Sequence, residues 1–180
     1  RSMHTGHLPF KIAIMIGESS ALEREDVAIL RGAALFSDVS NEVVEPFLAK
    51  ASVRLLQNRE ILFRPQHTAE FIFIVLRGKI QVYRGETAGK HAVLSVFLPG
   101  SAVALEAGLA QGIYGMTAEA VGMCRLLEIP AQAFRTALAN GGALSSSVVR
   151  VLTQNLDEAF QQLERIQLKP TSQRLADFLL

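Results

Sequence analysis

The chain has 180 residues, 49% of them hydrophobic and 19% charged, enough apolar material for one ordinary core with an appended element. Its 18 Lys and Arg nearly balance 17 Asp and Glu, so no chain-wide positive field is available to hold a phosphate backbone. Cys124 is the single cysteine, which excludes a disulfide framework and any four-cysteine iron–sulfur cluster or zinc site within one chain.

The N-terminal run LPFKIAIMIG is apolar but broken by Lys11, far short of the roughly 20 residues that span a bilayer. Neither a membrane span nor a signal peptide is expected, and a cytoplasmic location fits the cysteine usage. Arg1-Ser2 ahead of Met3 reads as a cloning remnant, and residues 1–20 as an N-terminal extension.

Residues 20–34, SALEREDVAILRGAA, predict a short amphipathic helix through Leu22, Val27, Ile29 and Leu30. Ser40 is a good cap for a second helix, NEVVEPFLAK, which Pro46 should kink by deleting one backbone hydrogen bond. From Ala51 the texture changes to short runs of Val, Ile, Leu and Phe: VRLL, EILF, FIFIVL, KIQVYR, HAVLSVFL, TAEAV and MCRLLEI. Between them stand QN, RPQHTAE, RG, RGETAGK and PGS, segments with turn chemistry. Seven or eight strands are expected, with a hairpin at Arg77-Gly78 and positive φ at Gly78 and Gly100.

Pro130 opens a helix, PAQAFRTALAN, that ends before Gly141-Gly142. A longer helix is predicted from Leu144 to Lys169, where Pro170 stops it. The fold class expected is mainly β with flanking helices, a double-stranded β-helix or jelly roll followed by a long dimerisation helix. The divisions expected are 21–142 for the β-roll with its flanking helices, 143–169 for the long helix, and 170–180 for the start of a further domain.

Steps of three and four along the long helix give Val149, Leu152, Leu156, Ala159, Leu163 and Ile166, all apolar. That is an a/d register of about two and a half heptads, the pattern of a helix that pairs with its own copy. A second stripe, Val148, Val151, Phe160 and Leu168, is available to cover the β-roll. The first stripe therefore predicts a homodimer.

The order of parts, helices, β-roll, short helix and heptad helix, resembles the sensor domains of Crp–Fnr-type bacterial transcription regulators. The strings NREILFRPQHTAEFIFIVLRGKIQVYR, SVFLPGSAVALEAG and VGMCRLLEIPAQAF carry the resemblance, and PTSQRLADFLL is similar to the first helix of the family's DNA-binding domain. The resemblance implies a sensor, not an enzyme, that contacts DNA only through a C-terminal domain incomplete at Leu180. No sequence-specific DNA binding is expected of residues 1–180 themselves.

In the cyclic-nucleotide-binding members a Gly-Glu pair holds the ribose and an Arg-Ser pair neutralises the phosphate. Glu106 resembles that acid, but Tyr114-Gly115 stand at the Arg-Ser position and no basic residue occurs between Lys90 and Arg125. A phosphate there would lose its water without a charge-assisted partner, so cyclic AMP is not the expected effector. The combination EAGLA with YGMTAEAV instead resembles the dissimilatory nitrate respiration regulators, which implies haem-dependent sensing of nitric oxide.

An apolar effector pocket is expected from Val103, Leu105, Leu109, Ile113 and Met116, with Glu106, Tyr114 and Thr117 as its polar members. The histidines available as haem ligand are His4, His7, His67 and His91. Two other classes share the architecture. A cupin-type metalloenzyme needs closely spaced histidines on one strand, and His67 and His91 have no such neighbours. A cyclic-nucleotide-binding module of a channel or kinase would carry a different domain C-terminal to the β-roll.

Overall fold

The computed structural model describes residues 22–84 and 92–167. Two helices come first, α1 (Arg24–Gly32) and α2 (Asn41–Leu48), then strands β1 (Ser52–Leu56), β2 (Ile61–Phe63) and β3 (Phe71–Arg84). Strands β4 (Ala92–Phe97) and β5 (Ala102–Val103) lead to a one-turn helix α3 (Leu105–Leu109). Strand β6 (Thr117–Pro130), α4 (Ala131–Ala139) and α5 (Ala143–Gln167) complete the order. The expected Leu144–Lys169 helix is thus found one residue earlier at its start. The RGETAGK turn, residues 1–20 and PTSQRLADFLL lie outside the described residues.

The strands form one antiparallel sheet in the order β1-β6-β3-β4, with β2 on β6 and β5 on β3. This is the β-roll with flanking helices that the alternating runs predict. Six strands are described where seven or eight were expected, because two pairs of the seven runs fuse and the short β5 (Ala102–Val103) adds one that no run marked. FIFIVL and KIQVYR form one 14-residue strand, and TAEAV and MCRLLEI form another.

The expected hairpin at Arg77-Gly78 is therefore a correction: the chain runs straight on. Gly78 has φ +84, and a Cβ there would meet Met123 O at 2.5 Å and Cys124 Sγ at 2.6 Å. The glycine lets β6 approach while the β3–β6 register shifts on both sides of Arg77, a bulge that bends the strand without ending it. Locally Arg-Gly is turn chemistry, but continuous pairing with β6 overrides it.

The first half of β3 is buried on both faces. Phe73 and Val75 enter the roll's interior with Ile80, Val82, Leu126 and Cys124, while Ile72 and Ile74 are fully buried on the other side. A near-continuous apolar run is what two-sided burial demands. Ile72 is covered by α3, where a Cβ on Gly108 would come within 2.5 Å of Ile72 Cγ1. Phe47 of α2 meets Phe134 of α4 edge-on at 5.2 Å, and Pro46 stands inside α2 two residues before its end.

Helix α1 is fastened to the sheet by charge. Asp26, 2% exposed, accepts from the Glu23 N–H at 2.8 Å and from Arg125 Nε of β6 at 2.9 Å. Two compact units divide between Ser147 and Val148. Within the second unit, Val149, Leu156 and Leu163 of α5 are 64%, 54% and 53% exposed. Leu152 is half-buried and Ala159 exposed, whereas the Ile166 side chain lies outside the described residues.

Candidate functional site

Three pieces of chain meet at one end of the β-roll: the end of β2, the connection from Arg64 to Glu70, and the segment after α3. The connection and the segment are zipped together by backbone hydrogen bonds. Gln66 N–H donates to Tyr114 O (3.0 Å), Tyr114 N–H to His67 O (2.9 Å) and Ala69 N–H to Gly112 O (3.0 Å), with a bridge between Thr68 and Ile113. The RPQHTAE loop is therefore held in place by its long-range partner rather than by its own turn chemistry.

Beneath this zipper lies an open cleft of about 480 Å³, within the range of small-molecule sites. Its floor is aromatic. Tyr114 lies on Phe63 with centroids 3.9 Å apart, and Phe63 lies against Phe73 at 5.9 Å. Phe71 closes one side, 6.3 Å from Phe73. Around the rim stand Arg54, Gln66, His67, Thr68, Glu70 and Glu128.

Arg54 Nη1 pairs with Glu128 Oε1 at 3.2 Å across β1 and β6. The carboxylate of Glu70 has no partner among the described residues. One cation against two carboxylates leaves the rim negative. The Tyr114 hydroxyl accepts from the Phe71 N–H at 3.3 Å and donates to Phe71 O at 3.1 Å. Burial pushes this phenol above its ordinary value, and the fields of Glu128 and Glu70 push the same way against the Phe71 hydrogen bond. Tyr114 is thus held as the neutral donor.

Of the eight residues expected to form the pocket, Tyr114 alone lines this cleft. Val103, Leu105 and Thr117 are buried, Leu109 and Met116 half-buried, and Glu106 and Ile113 exposed. Glu106 stands in the first turn of α3, facing solvent. Of the four histidines, His67 lines the cleft, while His4, His7 and His91 lie outside the described residues. Sequence reasoning did not find Phe63, Phe71, Phe73, Arg54, Glu70 or Glu128. No local signal marks them, since Arg54 and Glu128 become neighbours only through the pairing of β1 with β6. The structure also brings a cation to the segment that lacked one: Arg84 Nη2 lies 3.9 Å from where a Gly115 Cβ would stand. Arg84 does not line the cleft.

The β-roll and α4 together match one family. Residues 53–140, from β1 to the end of α4, fit the model of the cyclic nucleotide-binding domain. No curated protein matches the sequence significantly. Among solved structures, a protein from Ruegeria pomeroyi DSS-3 described as cyclic nucleotide binding is 28% identical, with a TM-score of 0.61 over 86% of this chain and 69% of its own. A protein from Silicibacter pomeroyi DSS-3 described as a cAMP-binding regulatory protein is 27% identical, with a TM-score of 0.62 over 87% of this chain and 72% of its own. The sensor domain of the transcriptional regulator DNR from Pseudomonas aeruginosa is 21% identical, with a TM-score of 0.65 over 78% of this chain and 95% of its own. The β-roll thus has the fold of the DNR sensor domain, as the sequence resemblance implies. Among the described residues no three His, Cys, Asp or Glu gather as a metal site, and no helix is long and apolar enough to cross a membrane.

Proposed function

We propose that this chain is the effector-sensing and dimerisation part of a Crp–Fnr-type transcription regulator, and that its effector is not a cyclic nucleotide. The observation that supports this reading most directly is Tyr114. Where the resemblance implies a guanidinium for the phosphate, a neutral phenol is buried in the roll with both hydrogen-bonding functions spent on Phe71. Leaving a buried charge without a buried ionic partner costs about 3 to 5 kcal/mol, which turns micromolar affinity into millimolar; the guanidinium beside Gly115, that of Arg84, is exposed and screened by solvent. Calorimetric titration with cyclic AMP and cyclic GMP should give no saturable heat at tens of micromolar (about −6 kcal/mol of binding). Micromolar binding of either overturns the reading.

A route from cleft to helix runs through the first unit. The zipper segment bonds back to α3 through Gly112 N–H to Ala107 O, Arg135 Nη1 of α4 donates to Gly108 O at 2.6 Å, and Ser145 Oγ of α5 donates to Leu138 O at 3.3 Å. Effector binding would bias this chain of contacts and, through it, how two α5 helices pair, a population shift between two geometries of the dimer.

One observation favours a second reading, haem-dependent nitric oxide sensing: His67 lines an aromatic cleft, and an imidazole on an apolar wall is what haem iron takes as axial ligand. The rim does not fit the rest of the group. Haem carries two propionates, which would meet Glu70 and Glu128 with Arg54 already paired. Hemin titration decides it, because a sharp Soret band that shifts with nitric oxide selects this reading and no band removes it.

A further inference from the structure

We infer that the free edge of β4 is a docking surface for a segment of the same chain, residues 10–16, added to the sheet as a strand parallel to β4.

Strand β4 ends the sheet path β1-β6-β3-β4 and pairs with β3 alone among the described residues. The residues that usually guard such an edge are missing: from Ala92 to Leu98 the sequence AVLSVFL carries no charge and no proline. Leu94 and Val96, with Leu98 just beyond them, form an alternate row that is 40% to 50% exposed, while Phe97, on the other face, packs against the roll's interior.

The chain carries a run that fits this edge. LPFKIAIMIG alternates strictly, Phe10, Ile12, Ile14 and Ile16 against Lys11, Ala13 and Met15, between Pro9 and Gly17. Period two, β-branched residues in the bulky row and those two boundaries are the pattern of a strand.

Tether length fixes the direction. Glu23, the cap of α1, meets Arg77 of β3 at 3.5 Å and Arg125 of β6 at 3.7 Å. Arg77 is level with the C-terminal end of β4, since Phe97 pairs with Ile80 and Gly100 N–H donates to Val75 O at 2.8 Å. From Ile16 to Leu22 the chain extends at most about 20 Å, and two strand spacings across to β3 take about 10 Å of it. A parallel strand, with Ile16 beside Leu98, lies within that reach. An antiparallel one would end beside Ala92 and add the length of β4, about 20 Å, which exceeds it.

In the parallel register Ile12, Ile14 and Ile16 stand beside Leu94, Val96 and Leu98 and shield the exposed row, with Ala13 and Met15 beside Ser95 and Phe97. A second copy of β4 could also fill the edge, but a tether this short gives the chain's own segment a local concentration in roughly the millimolar range, above that of any partner at micromolar protein. The segment thus blocks an edge that would otherwise pair with another molecule.

The test uses the 180-residue chain. In Ile12→Cys/Leu94→Cys, mild oxidation at micromolar protein should form a disulfide within one chain, at least about tenfold faster than in Ile12→Cys/Leu55→Cys, whose second position is exposed on β1 at the other end of the sheet path. Hydrogen exchange of the β4 amides should speed up about tenfold or more when residues 1–17 are deleted, with the β6 amides unchanged. Ile14→Pro, which removes a ladder donor from the segment, should reproduce the deletion. A disulfide between two chains, equal rates for the two cysteine pairs, or β4 exchange that the deletion leaves unchanged each overturns the inference. Loss of protection in β6 together with β4 also overturns it, because the segment would then support the whole roll rather than one edge.

Discussion

Tyr114 lies face to face with Phe63, ring centroids 3.9 Å apart and planes 13° from parallel, while its hydroxyl joins the N–H and C=O of Phe71. One side chain from the segment after α3 thereby fastens itself to β2 and β3, the two strands that wall the cleft. The same side chain occupies the place where the family resemblance implies an arginine.

Tyr114→Phe keeps the ring contact and removes the hydroxyl, so it should cost about 1 kcal/mol of stability at neutral pH. The change should also alter the alkaline limb of the stability curve. Because the folded-state value of this phenol is raised above its ordinary 10.0, its contribution is fully present below the ordinary value and is lost as pH rises through the folded one. Urea denaturation from neutral to strongly alkaline pH should show that loss in the parent and a shallower fall in Tyr114→Phe. Identical alkaline limbs would mean the phenol ionises freely.

Gly78→Ala should destabilise by roughly 2 to 5 kcal/mol, combining left-handed backbone strain with a forced shift of neighbours. The added methyl has nowhere to go, with Met123 O at 2.5 Å and Cys124 Sγ at 2.6 Å. Denaturant midpoints measure it. A loss under about 1 kcal/mol would show that β3 and β6 separate at little cost.

Asp26→Asn should cost about 3 kcal/mol, because the Arg125 side chain, 12% exposed, loses the charge it is bonded to at 2.9 Å. Glu23 at 3.7 Å is a more distant substitute on an exposed side chain. Double-mutant analysis with Arg125→Met should recover part of the loss, and strict additivity would mean that the pair is not coupled energetically.

Leu156→Asp places a charge in the middle of the apolar stripe of α5, where Val149, Leu156 and Leu163 are all more than half exposed in the single chain. Sedimentation should show a monomer where the parent sediments as a dimer. A mutant that remains dimeric would mean that the chain pairs through another surface.

The sequence alone determined the kind of fold, because alternation in period two and heptads in period 3.5 are local patterns that strands and paired helices impose on any chain. The helix between Pro130 and Asn140, the long helix after it and the strand-rich middle all follow from such patterns, whereas the polar-for-basic exchange at Tyr114 follows only from the family resemblance. Tertiary structure decided what happens at Gly78, where pairing with β6 carries the strand through a dipeptide that reads locally as a turn. It also decided the cleft. Phe63, Phe71 and Tyr114 are separated in sequence and look like ordinary core residues one at a time, and Glu106, which a motif singles out, faces solvent. Arg54 and Glu128 meet at 3.2 Å across 74 positions of sequence, and no local pattern encodes that distance, because sheet register is a property of the folded pair of strands rather than of either strand.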